Sequence, residues 1–198
     1  QGLGKTKIAV DVILRWLREK SIDTVLVVTK KGLIANWQRE FKLHSHLRPM
    51  LLTESGKNNY LTFTTGTRLV LAHYEVVKKE ERRLRAWLGS RRVAIVMDEA
   101  AKIKNPGSAL TQVYHRLAPL FKKRVIMTGT PVANRPYDIW SEFFFLDQGA
   151  TFGTDFATFK AEHDFRDTYR HDAAAFKAYQ VRLVSVSEQL KALSVRET

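Results

Sequence analysis

VAIVMDEA, residues 93–100, is an unbroken apolar run that closes on two carboxylates. Short runs rich in Val and Ile are the mark of a strand buried on both faces, the kind found inside parallel sheets. In such sheets ligands collect outside the carboxyl ends of the strands, so Asp98 and Glu99 stand where chemistry is done. Two adjacent acids at a strand end also occur as an ordinary solvated turn. The weight of this stretch therefore comes from what surrounds it.

Working outward, DTVLVVT (23–29), TRLVLAHY (67–74) and KRVIMTGTP (123–131) read as further strands beside RRVAIVMDE (91–99). Between them lie helical patterns. KTKIAVDVILRWLRE (5–19) sets Ile8, Val12, Trp16 and Leu17 on one face, and GLIANWQREFKL (32–43) spaces Leu33, Trp37 and Phe41 four apart. KKEERRLRAWLG (78–89) predicts a charged helix stopped by Gly89, and ALTQVYHRLAPL (109–120) one limited by Pro119. Strands alternating with helices predict a layered α/β fold around a mainly parallel sheet. From about residue 138 the chain turns helical and aromatic (DIWSEFFFLDQ, ATFKAEHDF, DAAAFKAYQVRL). The spacing of Trp37, Phe41 and Trp140 predicts buried positions, whereas Arg82, Arg83 and Arg85 predict a solvated helix face.

Composition narrows the function. The 198 residues can hold one good-sized domain and its core, or one domain with an appendage, with no apolar run long enough to span a membrane and no secretion leader expected. There are no cysteines, which excludes disulfides and thiolate metal sites and fits a reducing, intracellular compartment, bacterial cytoplasm or nucleus alike. Lys and Arg number 33 against 20 acids, a net charge of +13, which favours a polyanionic partner, nucleic acid first. The clusters KK (30–31), KKEERRLR (78–85), RR (91–92) and KKR (122–124) supply much of it, although solvated surfaces would look the same.

Two further elements complete the candidate site. GLGKT (2–6) opens a helix: glycines let a backbone wrap phosphates, and the helix N-terminus offers unpaired N–H groups. Lys5 would reach the β- and γ-phosphates and the Thr6 hydroxyl a Mg²⁺ ion, while Asp98 would hold that ion through water and Glu99 would orient the attacking water. A full phosphate loop begins with a glycine five places before Gly4, ahead of Gln1, so the chain is expected to start inside the loop. MTGTP (127–131) places hydroxyls and amides just after a strand, where a γ-phosphate could be sensed.

The order of these motifs resembles the first RecA-like lobe of the Swi/Snf-type ATPases, duplex-DNA translocases within helicase superfamily two. QGLGKT is similar to the end of motif I, VVTKKGLIANWQREF to motif Ia, LVLAHYEVVKK to motif Ib, VMDEAAKIKN to the D-E-A-H box, and VIMTGTPVANRPYDIWSEFFFL to motif III with its helix. LSVRET resembles the basic segment before the second lobe. The resemblance implies a three-layer RecA-like P-loop fold over residues 1–147 and a helical extension over 148–198 that leads to a second RecA-like lobe. It assigns Gly2, Leu3, Gly4, Lys5 and Thr6 to ATP, and Thr6 and Asp98 to Mg²⁺. Lys5, Asp98 and Glu99 become the catalytic residues, with Lys30, Lys31, His73, Tyr74 and Asn134 on the DNA side. Ala101, Thr128, Gly129 and Thr130, up to Pro131, couple the two sites.

Two departures stand out. Ala101 occupies the position of the box histidine and has no polar side chain to relay the γ-phosphate state. The second lobe, which in the family supplies arginine fingers, lies outside this sequence, so the lobe by itself is expected to hydrolyse ATP poorly. Three other readings stay open: a nucleotide-gated DNA-binding module without productive hydrolysis, a strand-separating DEAD/DEAH-type helicase and, more remotely, a small-molecule kinase.

Overall fold

The computed structural model describes residues 4–129, 136–164 and 172–193. Five strands form one sheet in the order β2-β3-β1-β4-β5: β1 (Thr24–Thr29), β2 (Met50–Leu51), β3 (Leu69–His73), β4 (Val93–Asp98) and β5 (Lys123–Met127). Every pairing is parallel. The helices are α1 (Lys5–Arg18), α2 (Ile34–His44), α3 (Gly56–Thr64), α4 (Tyr74–Lys79), α5 (Glu81–Ser90), α6 (Ala109–Leu117), α7 (Ile139–Asp147), α8 (Phe156–His163) and α9 (Ala173–Leu193).

Alternation along each strand builds two cores, because successive side chains point to opposite faces. Val25, Val27, Leu69, Leu71, Ala94 and Val96 join Val10, Ile13, Trp37 and Phe41 of α1 and α2. Leu26, Val28, Val70, Ala72, Ile95 and Met97 join α4, α5 and α6 through Val77, Leu84 and Tyr114. This gives the expected three layers, and it explains why β1 and β4 read as unbroken apolar runs. A third cluster holds Tyr137, Ile139, Trp140 and Phe143 against Phe159 of α8 and Val186 of α9. Helix α7 serves two clusters at once, since its Phe145 packs into the α4–α6 core.

Several local expectations change. The buried face of α1 is Ala9, Val10, Ile13 and Leu17, and Ile8 is 49% exposed, so the inward stripe is offset from the one the spacing suggested. The segment expected as one helix over 78–89 is two: α4 starts at Tyr74, directly on the end of β3, and α5 follows after Glu80. Gly89 lies inside the last turn of α5, which ends at Ser90. The short strand β2 and helix α3 are additions to the sequence reading. Helix α3 is rich in weak helix formers and is tied down by tertiary contacts: Asn59 Nδ2 donates to Thr53 O and to Glu80 Oε1, both at 2.9 Å, while its Oδ1 accepts from Thr53 N at 2.8 Å.

Chain order reverses around β1. From β1 the chain runs to β2 and β3 on one side, then crosses to β4 and β5 on the other. A crevice at such a reversal, outside the carboxyl ends of the strands, is where open α/β sheets bind ligands. Here it lies between the ends of β1 and β4.

Candidate nucleotide site

Register brings the ends of β1 and β4 together. Val28 pairs with Met97, so the next residues, Thr29 and Asp98, face each other, and Lys30 and Glu99 follow. The Thr29 hydroxyl donates to Asp98 Oδ2 at 3.0 Å, and Trp37 Nε1 donates to the same oxygen at 2.9 Å. Both bonds fall on Oδ2, which fixes the carboxylate and leaves Oδ1 for a cation. Trp37 is fully buried, as its spacing predicted, yet it is more than packing: its one polar atom holds the site's aspartate.

Beneath the site sits Tyr74, 3% exposed, whose hydroxyl donates to Asp98 O at 2.8 Å. The Tyr114 hydroxyl in turn donates to Tyr74 O at 3.2 Å. Burial raises both phenol pKa values, so both stay neutral donors at physiological pH. Tyr74 thus acts on the site from the core rather than from its surface.

Glu99 follows in the left-handed region, φ 58° and ψ 51°, and begins a tight 3-10 turn over Ala100–Ile103 that carries Ala101. A non-glycine residue held there costs energy, and such positions cluster at functional sites. Its Oε2 lies 3.4 Å from Lys30 Nζ. The next basic side chains share one acid: Lys31 Nζ lies 2.9 Å and His73 Nε2 3.5 Å from Glu54 Oε1. Lys31 holds the Glu54 carboxyl below its usual range, and burial lowers the His73 pKa, so the imidazole is neutral at pH 7.

Helix α1 approaches from β5's side. Gly4 precedes it with φ 71°, a conformation that suits glycine, and as the N-cap residue it brings no side chain to the helix N-terminus. A Cβ added to Gly129 would lie 3.7 Å from Lys5 Nζ, which puts the motif I lysine against the turn after β5, next to Thr128. Helix N-terminus, Gly129 turn, Asp98 and Glu99 therefore sit on one edge of the sheet. Gly2, Leu3, Thr130, Pro131 and Asn134 lie outside the described residues.

The donor set suits Mg²⁺ carried in with phosphates. Among the described residues no three His, Asp or Glu side chains gather into a metal cage. Mg²⁺ is normally held by one or two protein oxygens, water and substrate phosphates, so a single fixed carboxylate such as Asp98 could serve it. Charge is a poorer guide to this edge. Of the basic clusters, Lys30 and Lys31 lie here, and Lys79 is close enough to act on Glu54. Arg91, Arg92, Lys122 and Lys123 lie at the opposite, amino ends of β4 and β5.

The profile of the SNF2-related domain matches residues 1–192. The chain belongs to this family. The SNF2-related lobe is 27% identical over 199 residues to the DNA excision repair protein ERCC-6-like of Bos taurus, covering 97% of the chain and 16% of that protein. It is 30% identical over 155 residues to the ISWI chromatin-remodeling complex ATPase ISW2 of Saccharomyces cerevisiae, covering 73% of the chain and 13% of that protein. Among solved structures it superposes on the SWI2/SNF2 ATPase core of Sulfolobus solfataricus, solved in complex with dsDNA, with a TM-score of 0.67 and 27% identity over 82% of the chain. The SNF2-related lobe spans 32% of that solved chain, and a sixth or less of the length of the two curated relatives. Its RecA-like α/β fold agrees with the architecture expected from the strand and helix order.

Proposed function

We propose that this lobe is the N-terminal ATP-binding half of an ATP-dependent duplex-DNA translocase, coupling hydrolysis to movement on DNA or its remodelling. The observation that carries the reading is the meeting of Lys5, Asp98 and Glu99 on one sheet edge, at the topological reversal, in a member of the SNF2-related family. ATP docks its phosphates on Gly2 to Thr6 at the start of α1. Thr6 and Asp98 would hold Mg²⁺, which would supply charge neutralisation to the phosphates. Glu99 orients a water for in-line attack on the γ-phosphorus. Thr128, Gly129 and Thr130 report the γ-phosphate state, with Ala101 leaving the box turn without a polar relay. Lys30, Lys31, His73 and Asn134 form the DNA side of the site, while the buried Tyr74 supports Asp98 from the core instead of touching DNA. A second RecA-like lobe of the same protein, reached through the helical extension 148–198, closes over the nucleotide.

The deciding experiment is phosphate release by the full-length protein with and without duplex DNA. Duplex DNA is expected to raise the rate severalfold, more than single-stranded DNA does, and Glu99→Gln to abolish turnover while ATP still binds. ATP binding with turnover absent or indifferent to DNA would mark the lobe as a nucleotide-gated binding module instead.

A further inference from the structure

The pairing of Lys30 with Glu99 gives one residue two partners, and the following inference rests on the DNA-translocase reading above. Lys30 Nζ lies 3.4 Å from Glu99 Oε2, with the two side chains 48% and 38% exposed. The contact is no accident of two long side chains. It lies one step past the Thr29–Asp98 hydrogen bond, directly after the β1–β4 ladder ends, so the paired strands deliver the two residues side by side. Glu99 is further constrained by its left-handed backbone, and Lys30 by the 3-10 turn that starts at Lys31.

A carboxylate polarises water through its charge and lone pairs. With an ammonium on Oε2, part of that charge is neutralised and one oxygen is engaged. The ammonium is also exposed enough to meet a DNA phosphate, as is that of Lys31 beside Glu54, whereas His73 is neutral. Phosphate and Glu99 thus compete for one cation.

We propose that Lys30 is a positioning residue that restrains Glu99 in the DNA-free protein and releases it when a DNA phosphate takes the amine. DNA occupancy would then be read directly at the hydrolytic carboxylate, along β1 and β4, without a polar side chain at Ala101. An ion pair this exposed is weak, and biases a local equilibrium about two- to fivefold. The restraint accordingly sets a modest part of DNA stimulation, and salt loosens it.

Two measurements on the full-length protein test this. The first compares ATP turnover of wild type and Lys30→Met at low salt. Release of the restraint raises the DNA-free kcat about two- to fivefold and lowers the stimulation ratio. If Lys30 only bound DNA, the variant would need more DNA for half-stimulation and leave the DNA-free kcat unchanged; that result overturns the proposal. The second measures lysine labelling by an amine-reactive reagent, read by mass spectrometry. Glu99→Gln is expected to speed labelling of Lys30 and leave Lys102 as it was. Equal labelling of Lys30 in both proteins overturns the proposal even if turnover cannot be measured. A wild-type protein indifferent to duplex DNA sinks the translocase reading, whereas labelling still decides the ion pair.

Discussion

Asp98 shows how much of a site is set by single atoms. Its Oδ2 accepts two hydrogen bonds, from Thr29 and Trp37, and its backbone carbonyl accepts a third from Tyr74. Each donor comes from a different element, so the carboxylate is held before any metal arrives. Preorganisation of this kind spares the cost of ordering the group during the reaction. Trp37→Phe removes one donor and keeps the ring in its pocket. The expected loss is about 1 kcal/mol of stability, with a raised Mg²⁺ requirement for turnover. A Mg²⁺ titration of ATPase rate checks this; an unchanged half-saturation point would mean Thr29 alone suffices.

Among the elements, α7 carries the most tension. Its first turn buries Glu142, 3% exposed, with no hydrogen-bond partner for Oε2 among the described residues. Burial comes first among the causes that push this carboxyl up to about 7; Asp138 adds to the effect and Lys104, paired with Asp138 at 3.7 Å, opposes it. On neighbouring elements Tyr74 lies near enough to feel the charge, and His115, held neutral by burial, donates from Nε2 to Ser141 O. The sign follows from proton counts. The unfolded chain releases the proton near 4.5, whereas the folded lobe keeps it to about 7. The stabilising contribution of the neutral acid is therefore complete below about pH 4.5 and is lost as pH rises to about 7, a change of about 3 kcal/mol. Urea midpoints from pH 5 to 8 should fall with rising pH, and Glu142→Gln should flatten that part of the curve. The same helix ties to the turn after Glu99 through the Ser141 hydroxyl, which donates to Ile103 O. Loosening α7 at high pH is thus felt beside the site.

For the molecule as a whole, the charge of +13 is spread over both ends of the sheet. A polyanion bound at the carboxyl edge, as proposed, would meet Lys30 and Lys31, whereas the cations at the amino ends of β4 and β5 lie at the other end of the sheet. Two phosphate contacts predict that duplex affinity falls about tenfold for a roughly fourfold rise in salt. Replacing Lys30 or Lys31 with Met should lower the slope of log affinity against log salt by about 1 each. Arg92→Met, at the far edge, should leave that slope unchanged. Fluorescence anisotropy with a labelled duplex measures all three, and a flat salt dependence in wild type would argue against phosphate contacts. Among the described residues no helix is long and apolar enough to cross a membrane.

The sequence by itself determined the alternation of β1, β3, β4 and β5 with helices, the burial of Trp37, Phe41 and Trp140, and the family. These are legible because they are local or periodic: apolar runs, four-residue spacing and motifs contiguous along the chain. It did not show β2, two residues defined by their pairing on β3, or α3, which is rich in weak helix formers and is held by Asn59 and its distant partner Glu80. Nor did it show that α4 starts on the last residue of β3, or that Tyr74 faces the core. The inner arrangement of the site was the least legible part. Thr29 and Lys30 lie 69 residues from Asp98 and Glu99, and Trp37 lies 61 from Asp98. The pairing of β1 on β4 and the packing of α2 on the sheet bring them within hydrogen-bonding range. Register is a property of two strands at once, so the tertiary structure decides it.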